Sequence, residues 1–316
     1  MSRVSQTVAA VRSLPMVTVL RVGAWAALLG ATGLLVRAEA RRSELPAGVT
    51  AETDIVYRRT PARRLRLDVY EPMDVGAVSE RGRPVVLAIH GGGWAGGSRI
   101  SFGQMVARLA QHGYVAVSVD YTLCRPGHPS WPAALDDLRE AVRWIRSHAR
   151  QYRIDPDRVV ALGASAGGHL AALLGTTAGD DAGLKVQAVI DFYGPSDLLV
   201  LATENQDASR VIAQFLGADA NERPGLWEAA SPARQVSAGA PPMLLVHGAD
   251  DTHVPPNQSE LLAAALRTAG VPSRLVVVSG ARHGFHFRID DQRDLLPEIL
   301  AFLATVWDPP KTADFP

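Results

Sequence analysis

The sequence predicts an α/β fold in which a mostly parallel central sheet carries helices on both faces. Three observations predict it. Short apolar runs recur along the chain, stretches with helical spacing lie between them, and each run ends in glycine, aspartate or histidine. Strands buried on both faces and joined by helical crossovers give this rhythm, and ligand sites then lie beyond the strands' carboxyl ends.

Leu65 to Tyr70 alternates as Leu-Arg-Leu-Asp-Val-Tyr, the pattern of a strand with one wet face at a sheet edge, and Pro72 stops it. Val85 to Ile89 is continuously apolar, so both of its faces are expected to be buried. Val115 to Val119 is a further strand. After it Trp131-Pro132 opens a helix, on which Leu135, Leu138, Val142 and Ile145 recur on one face, completing a βαβ unit. Val159 to Leu162 and the apolar helical stretch Leu170 to Leu174 continue the alternation. Val186 to Phe192, Met243 to Val246 and Leu275 to Val278 are three more strands. Residues 197–235 break the rhythm and are long for a connection, which predicts a small helical cap insertion.

The 316 residues suit one catalytic domain, placed at residues 54–308, with a tail at 309–316. Lysine plus arginine equals aspartate plus glutamate, 32 against 32, so no net field gathers nucleic acid and none is expected as a partner. Cys124 is the only cysteine, which excludes an intramolecular disulfide and cysteine-based zinc or iron-sulfur ligation. Met1 to Ala38 holds four arginines and no acidic residue. Residues 1–40 therefore read as a signal peptide or an amino-terminal membrane anchor, followed by a polar linker at 41–53. As a helix, Val22 to Val36 reaches only about 22 Å of the roughly 30 Å hydrocarbon core. Membrane attachment would then use residues 14–36, with Arg21 snorkelling to the interface. Ala38-Glu39-Ala40 offers a cleavage site instead, and either route implies an exported or membrane-anchored chain. Oligomeric state is not legible.

Gly163-Ala164-Ser165-Ala166-Gly167 lies between a strand and a helix, the setting in which a tight turn lifts a serine hydroxyl above a sheet. Small residues two before and two after Ser165 let backbones cross closely. His90-Gly91-Gly92-Gly93-Trp94 follows a buried strand and exposes backbone N–H groups. Gly92 and Gly93, with Ala166 at the start of the nucleophile helix, form the predicted oxyanion hole. The GxxxxGK[ST] and GxGxxG phosphate patterns are absent from this turn. A serine hydroxyl needs a base and an acid to orient it. His283, past the last strand, is the base, with His286 as local competitor; His90 reads as a loop-fixing partner and His169 as a packed or hydrogen-bonded helix residue. Asp251, after Met243 to Val246, is the acid, with Asp250 and then Asp197 as rivals. A metal at Asp250, Asp251 and His253 lacks the usual ligand spacing, and the chemistry requires no cofactor.

These pieces, together with Leu67-Asp68-Val69-Tyr70, Tyr193-Gly194-Pro195-Ser196-Asp197, His247-Gly248-Ala249-Asp250-Asp251 and His283-Gly284-Phe285, resemble the α/β-hydrolase superfamily. The chain is most similar to its exported esterase and lipase group, related to the hormone-sensitive-lipase-like esterases. The resemblance spans about Asp54 to Trp307. It implies a triad of Ser165, Asp251 and His283, favouring Asp251 over Asp250, and hydrolysis of small-molecule carboxylic esters through an acyl-enzyme. Thr122-Leu123-Cys124-Arg125 departs from the family's pattern, which implies an altered pocket rim. Trp94 resembles the arylformamidase relatives and keeps amide cleavage open. Acyl transfer on the same triad and a non-catalytic binding role for the same fold stay open as well.

Overall fold

Successive side chains on a strand point to opposite faces, so a strand that is apolar throughout must be covered on both. In the strand Arg83–Ile89, Val85, Leu87 and Ile89 enter one hydrophobic cluster, while Val86 and Ala88 enter the other on the opposite side. The computed structural model describes residues 45–61, 63–73, 80–285, 287 and 293–307. Among them eight strands form one sheet: β1 (Val49–Arg59), β2 (Arg64–Pro72), β3 (Arg83–Ile89), β4 (Val115–Val119), β5 (Ile154–Ala164), β6 (Ala188–Phe192), β7 (Met243–Gly248) and β8 (Ser273–Val278). Their order is β1-β2-β4-β3-β5-β6-β7-β8. β2 pairs antiparallel with β1 and β4, and every other pairing is parallel.

Helices α1 (Arg99–Ala110), α2 (Ala133–Ser147) and α3 (Ala166–Thr176) follow β3, β4 and β5. Leu135, Leu138, Val142 and Ile145 of α2 are buried on one face as their spacing predicts. Burial stabilises each such side chain by about 1.5–3 kcal/mol, enough to dock a helix whose other face is polar. The opposite face of the sheet receives Phe102, Val106 and Leu109 of α1 and Ile299, Phe302 and Leu303 of α8 (Leu296–Trp307). Helix α7 (Asn257–Thr268) lies between β7 and β8 in sequence and buries Leu262 and Leu266 with α2 and α3.

Two expectations need correction. The folded part begins before Asp54, because β1 starts at Val49 and takes in residues read as linker. With β1 outside it, β2 is an inner strand rather than the edge. Its polar position misled: Asp68 is buried, and it is neutralised by an arginine instead of being hydrated. The Arg99 Nε donates to Asp68 Oδ1 at 2.8 Å and its NH1 to Asp120 Oδ2 at 2.7 Å, while Asp54 takes the remaining nitrogen. One guanidinium thus joins β1, β2, the end of β4 and the start of α1. The proposed leader at 1–40 and the tail at 309–316 lie outside the described residues; so does the first part of the linker. Among the described residues no helix is long and apolar enough to cross a membrane.

The insertion at 197–235 is helical, with α4 (Leu198–Glu204), α5 (Gln206–Leu216), α6 (Pro224–Ala229) and a 3-10 turn at Pro232–Arg234. Its ends are tied together. The Asp197 side chain caps α4 by accepting from the Val200 N–H at 3.2 Å, and accepts from Arg234 Nε at 2.8 Å. Gln258 Oε1 of α7 accepts from the N–H groups of Ser196 and Asp197, which fixes the exit from the sheet.

Because removing one partner strands a buried charge, Arg99→Met is expected to destabilise the protein by about 3–5 kcal/mol. Urea unfolding of the variant beside the wild type measures this; a change below about 1 kcal/mol would mean that the surrounding carboxylates are solvated.

Candidate active site

Strand β5 ends at Ala164 and α3 begins at Ala166, so Ser165 alone makes the turn, with φ 56° and ψ −123°. A serine holds this left-handed conformation only where its surroundings impose it. The Ser165 N–H donates to the Phe192 carbonyl at 2.8 Å and the Ser165 carbonyl accepts from His169 N–H at 3.0 Å. Neighbouring backbone leaves no room for larger residues. A Cβ at Gly163 would collide with the Gly167 carbonyl, and one at Gly167 with the Ile89 carbonyl.

His283 follows β8 and reaches Ser165, its Nε2 lying 2.9 Å from the hydroxyl oxygen. Its Nδ1 is 2.6 Å from Asp251 Oδ2. Asp251 is buried. Burial alone would raise its pKa, but hydrogen bonds from His247, His283 and the Val254 N–H outweigh it and hold the carboxyl well below the usual range. An ionised Asp251 requires the proton of a neutral His283 to sit on Nδ1, which leaves Nε2 free to accept from the Ser165 hydroxyl. The other carboxylate oxygen, Oδ1, accepts from the N–H groups of His253 and Val254 at 2.9 and 3.0 Å.

The loop after β3 passes directly beside this turn. Gly92 and Gly93 have φ 116° and 58°, and a Cβ on Gly92 would meet the backbone of Gly96. Among the described residues none accepts a hydrogen bond from the backbone N–H of Gly92, Gly93 or Ala166. Ala166 also opens α3, where the helix dipole favours negative charge. Donors fixed in this way can each stabilise a developing oxyanion by about 3 kcal/mol.

Rival residues are engaged elsewhere. Asp250 is exposed and its N–H bonds the Ala281 carbonyl; Asp197 is the cap anchor described above. His90 is buried with its Nδ1 2.8 Å from the Gly91 carbonyl and its ring stacked on Tyr121, a loop-fixing arrangement. His286 lies outside the described residues. Among the described residues no cluster of potential metal ligands occurs. Cys124 is buried and its N–H donates to the Trp94 carbonyl at 2.8 Å, which ties the unusual 122–125 segment to the glycine loop.

Two supporting residues escaped the sequence reading. His247 Nε2 lies 3.5 Å from Asp251 Oδ2 and 2.8 Å from the Val254 carbonyl, while its Nδ1 meets Ser259 Oγ at 2.7 Å. Its place four residues before Asp251, at a strand end, was the available signal. Tyr193 packs edge-on against His283 at 4.7 Å and donates its hydroxyl to the Phe285 carbonyl, holding the histidine loop against the end of β6.

The depressed Asp251 pKa has a thermodynamic consequence. Its contribution to stability is complete above the ordinary value near 3.8 and is lost as pH falls through that value toward the folded one. The difference in unfolding free energy between wild type and Asp251→Asn should therefore be constant from pH 8 to about 5 and shrink below about pH 4. Urea titrations at four pH values test it; a gap that widens on acidification would contradict an ionised, hydrogen-bonded Asp251.

Comparison with known proteins identifies the family and the fold. The family model BD-FAE matches residues 67–266. Esterase LipQ of Mycobacterium tuberculosis (strain ATCC 25618 / H37Rv) is 30% identical over 269 residues, covering 81% of this chain and 63% of LipQ. Esterase LipC of the same organism is 32% identical over 250 residues, covering 73% and 59%. The chain thus spans about six-tenths of the length of these curated relatives. Among solved structures, Thermogutta terrifontis esterase 2 phosphonylated by sarin superposes with a TM-score of 0.70 at 28% identity, covering 86% of this chain and 100% of that one. A truncated form of a carbohydrate esterase from gut microbiota gives 0.69 at 25% identity, covering 81% and 96%. From this match and the fold, the chain belongs to the BD-FAE family of the α/β-hydrolase superfamily.

Proposed function

We propose that the protein is a carboxylic ester hydrolase that works through an acyl-enzyme, with Ser165 as nucleophile, His283 as general base and acid, and Asp251 as the orienting carboxylate. The observation that carries this reading is the continuous hydrogen-bonded series from the Ser165 hydroxyl through both His283 nitrogens to Asp251. The ester carbonyl oxygen sits toward the N–H groups of Gly92, Gly93 and Ala166. Ser165 Oγ bonds to the carbonyl carbon as its proton passes to His283 Nε2, and negative charge develops on the oxygen. Collapse of this intermediate breaks the bond to the alcohol oxygen, which leaves with the proton from His283. Water then attacks the acyl-enzyme, giving a proton to His283 and forming the acid, and that proton returns to Ser165. The names of the two relatives given above, Esterase LipQ and Esterase LipC, support the same substrate class, a small-molecule ester.

The apolar, arginine-flanked residues 14–36 add a proposed second feature, export or membrane attachment of the catalytic domain. Expression of the full chain followed by membrane fractionation and amino-terminal sequencing should find it membrane-bound, or cut near Ala40; an intact chain in the soluble cytoplasmic fraction would count against both.

Ser165→Ala is expected to reduce hydrolysis of p-nitrophenyl acetate at least 10⁴-fold while leaving the unfolding transition in place. Paraoxon should modify the wild type once, on the peptide carrying Ser165, and leave the variant untouched. Turnover retained in Ser165→Ala, or no esterase activity with any acyl length tried, would overturn the proposal, and an amide substrate run in parallel reads the competing specificity.

A further inference from the structure

His169 lies one turn beyond Ser165 on α3 and is completely buried. Three parts of the molecule meet on its ring. The indole Nε1–H of Trp94, from the glycine loop, points at His169 Nδ1 across 3.2 Å, and His169 Nε2 lies 2.7 Å from the carbonyl of Ala230 at the end of α6 in the cap. An indole N–H can only donate and a carbonyl can only accept, so both contacts are hydrogen bonds for one species alone: neutral imidazole with its proton on Nε2. Burial favours that species and pushes the pKa down to about 4. Trp94 also stacks on Phe215 of the cap helix α5, with ring centroids 4.6 Å apart and planes within 10°. Its backbone has φ 56°, an unfavourable value for so large a residue, immediately after the two glycines proposed as oxyanion donors.

We infer that His169, as the Nε2-protonated neutral imidazole, is the positioning residue that locks the oxyanion loop through Trp94 to the nucleophile helix and the cap. This rests on the proposed ester hydrolysis for its kinetic consequence but not for its structural one. The Ser165 hydroxyl is paired with His283, while the His169 ring bonds Trp94 and Ala230. It acts by bonding the residue that follows Gly93, and so determines where the loop's N–H groups aim. Displacing such donors by an ångström is worth about 100-fold in rate, and because they act on charge that appears only in the transition state, the loss falls on kcat rather than KM.

The test compares His169→Leu, His169→Gln and Trp94→Phe. Leucine fills space without bonding, glutamine restores one acceptor and one donor, and phenylalanine keeps the stack on Phe215 while removing only the indole N–H. With p-nitrophenyl acetate, kcat should fall about 10- to 100-fold in His169→Leu, with KM changed less than about threefold, and recover to within about fivefold of wild type in His169→Gln. Trp94→Phe should lower kcat in the same sense, and the double variant Trp94→Phe/His169→Leu should be no worse than His169→Leu alone. Amide hydrogen exchange across residues 90–97, read by mass spectrometry, should quicken in His169→Leu and return in His169→Gln.

Wild-type kcat and wild-type exchange in His169→Leu would overturn the inference while leaving the esterase reading intact. If His169→Leu fails to fold, Trp94→Phe decides, and unchanged kcat and exchange in that variant would overturn it. A wild type without esterase activity would refute the proposed function, and hydrogen exchange would then judge His169 by itself.

Discussion

Everything at the site depends on one close approach of backbones. The turn at Ser165 is pressed between the carbonyl of Ile89 at the end of β3 and the carbonyl of Phe192 at the end of β6. Parallel neighbours lie about 4.8 Å apart, so strands flanking β5 leave space for a helix to begin at once only if the residues facing them have no side chain. Gly167 meets that condition against the end of β3, and Gly163 makes room for the Gly167 carbonyl of the helix itself. The cost of holding Ser165 at positive φ is about 1–3 kcal/mol, and it is offset by the backbone hydrogen bonds on either side of the turn and by a fully buried α3. The result is a hydroxyl held above the sheet at the place where the other loops converge.

Buried polar groups around this turn are matched in series. Asp251 is tolerable in a dry setting because four donors face it: two backbone N–H groups and two imidazoles. His247 in turn is held by Ser259 and the Val254 carbonyl. A low-dielectric surrounding strengthens each bond in such a chain and makes an omitted partner expensive. Asp191 marks the contrast. Among the described residues this buried carboxyl at the end of β6 has only the Gly194 N–H as hydrogen-bond donor, and burial pushes its pKa up to about 7. The difference between the two aspartates is the number of donors, since both are buried.

The sequence reveals the parts of this design that obey local rules. Runs such as Val85 to Ile89 announce strands covered on both faces, and the glycines around Ser165 announce the close crossing, because each follows from the sterics of a few adjacent residues. The residues themselves rank Asp251 ahead of Asp250 without excluding it, and the resemblance supports that choice; in the structure the Asp250 N–H is bonded across to Ala281 and the residue is exposed, whereas Asp251 is buried. The placement of β2 was misread for a related reason. Asp68 looks like a solvated position until Arg99, thirty-one residues later, is brought beside it. Helix α1 carries a glycine and a modest apolar face, and it gave no clear periodic signal. Long-range ion pairs and loop-to-loop bonds are not written in any short window.

The loops that carry Ser165, Asp251 and His283, and the cap, are each tied to the rest of the fold by several hydrogen bonds. The loops carrying Ser165, Asp251 and His283 are cross-linked by backbone: Ser165 N–H to Phe192, Ala249 N–H to Val278, Asp250 N–H to Ala281. These bonds do not depend on which side chains are present, so the geometry among Ser165, Asp251 and His283 is insulated from sequence change around it. The cap is held by backbone as well, with the Ser130 and Trp131 N–H groups on the Phe215 carbonyl and Ala233 N–H on the Ser196 carbonyl, and by side chains, through Asp197 with Arg234, Gln258 with the backbone at 196–197, and Trp94 against Phe215. A single substitution can loosen or retune it. Val211 of α5 brings its side chain next to Gly93, so the insertion also borders the glycine loop. Trp94, bonded to His169 of α3 and stacked on Phe215 of α5, therefore ties the glycine loop to both the sheet-packed helix and the insertion.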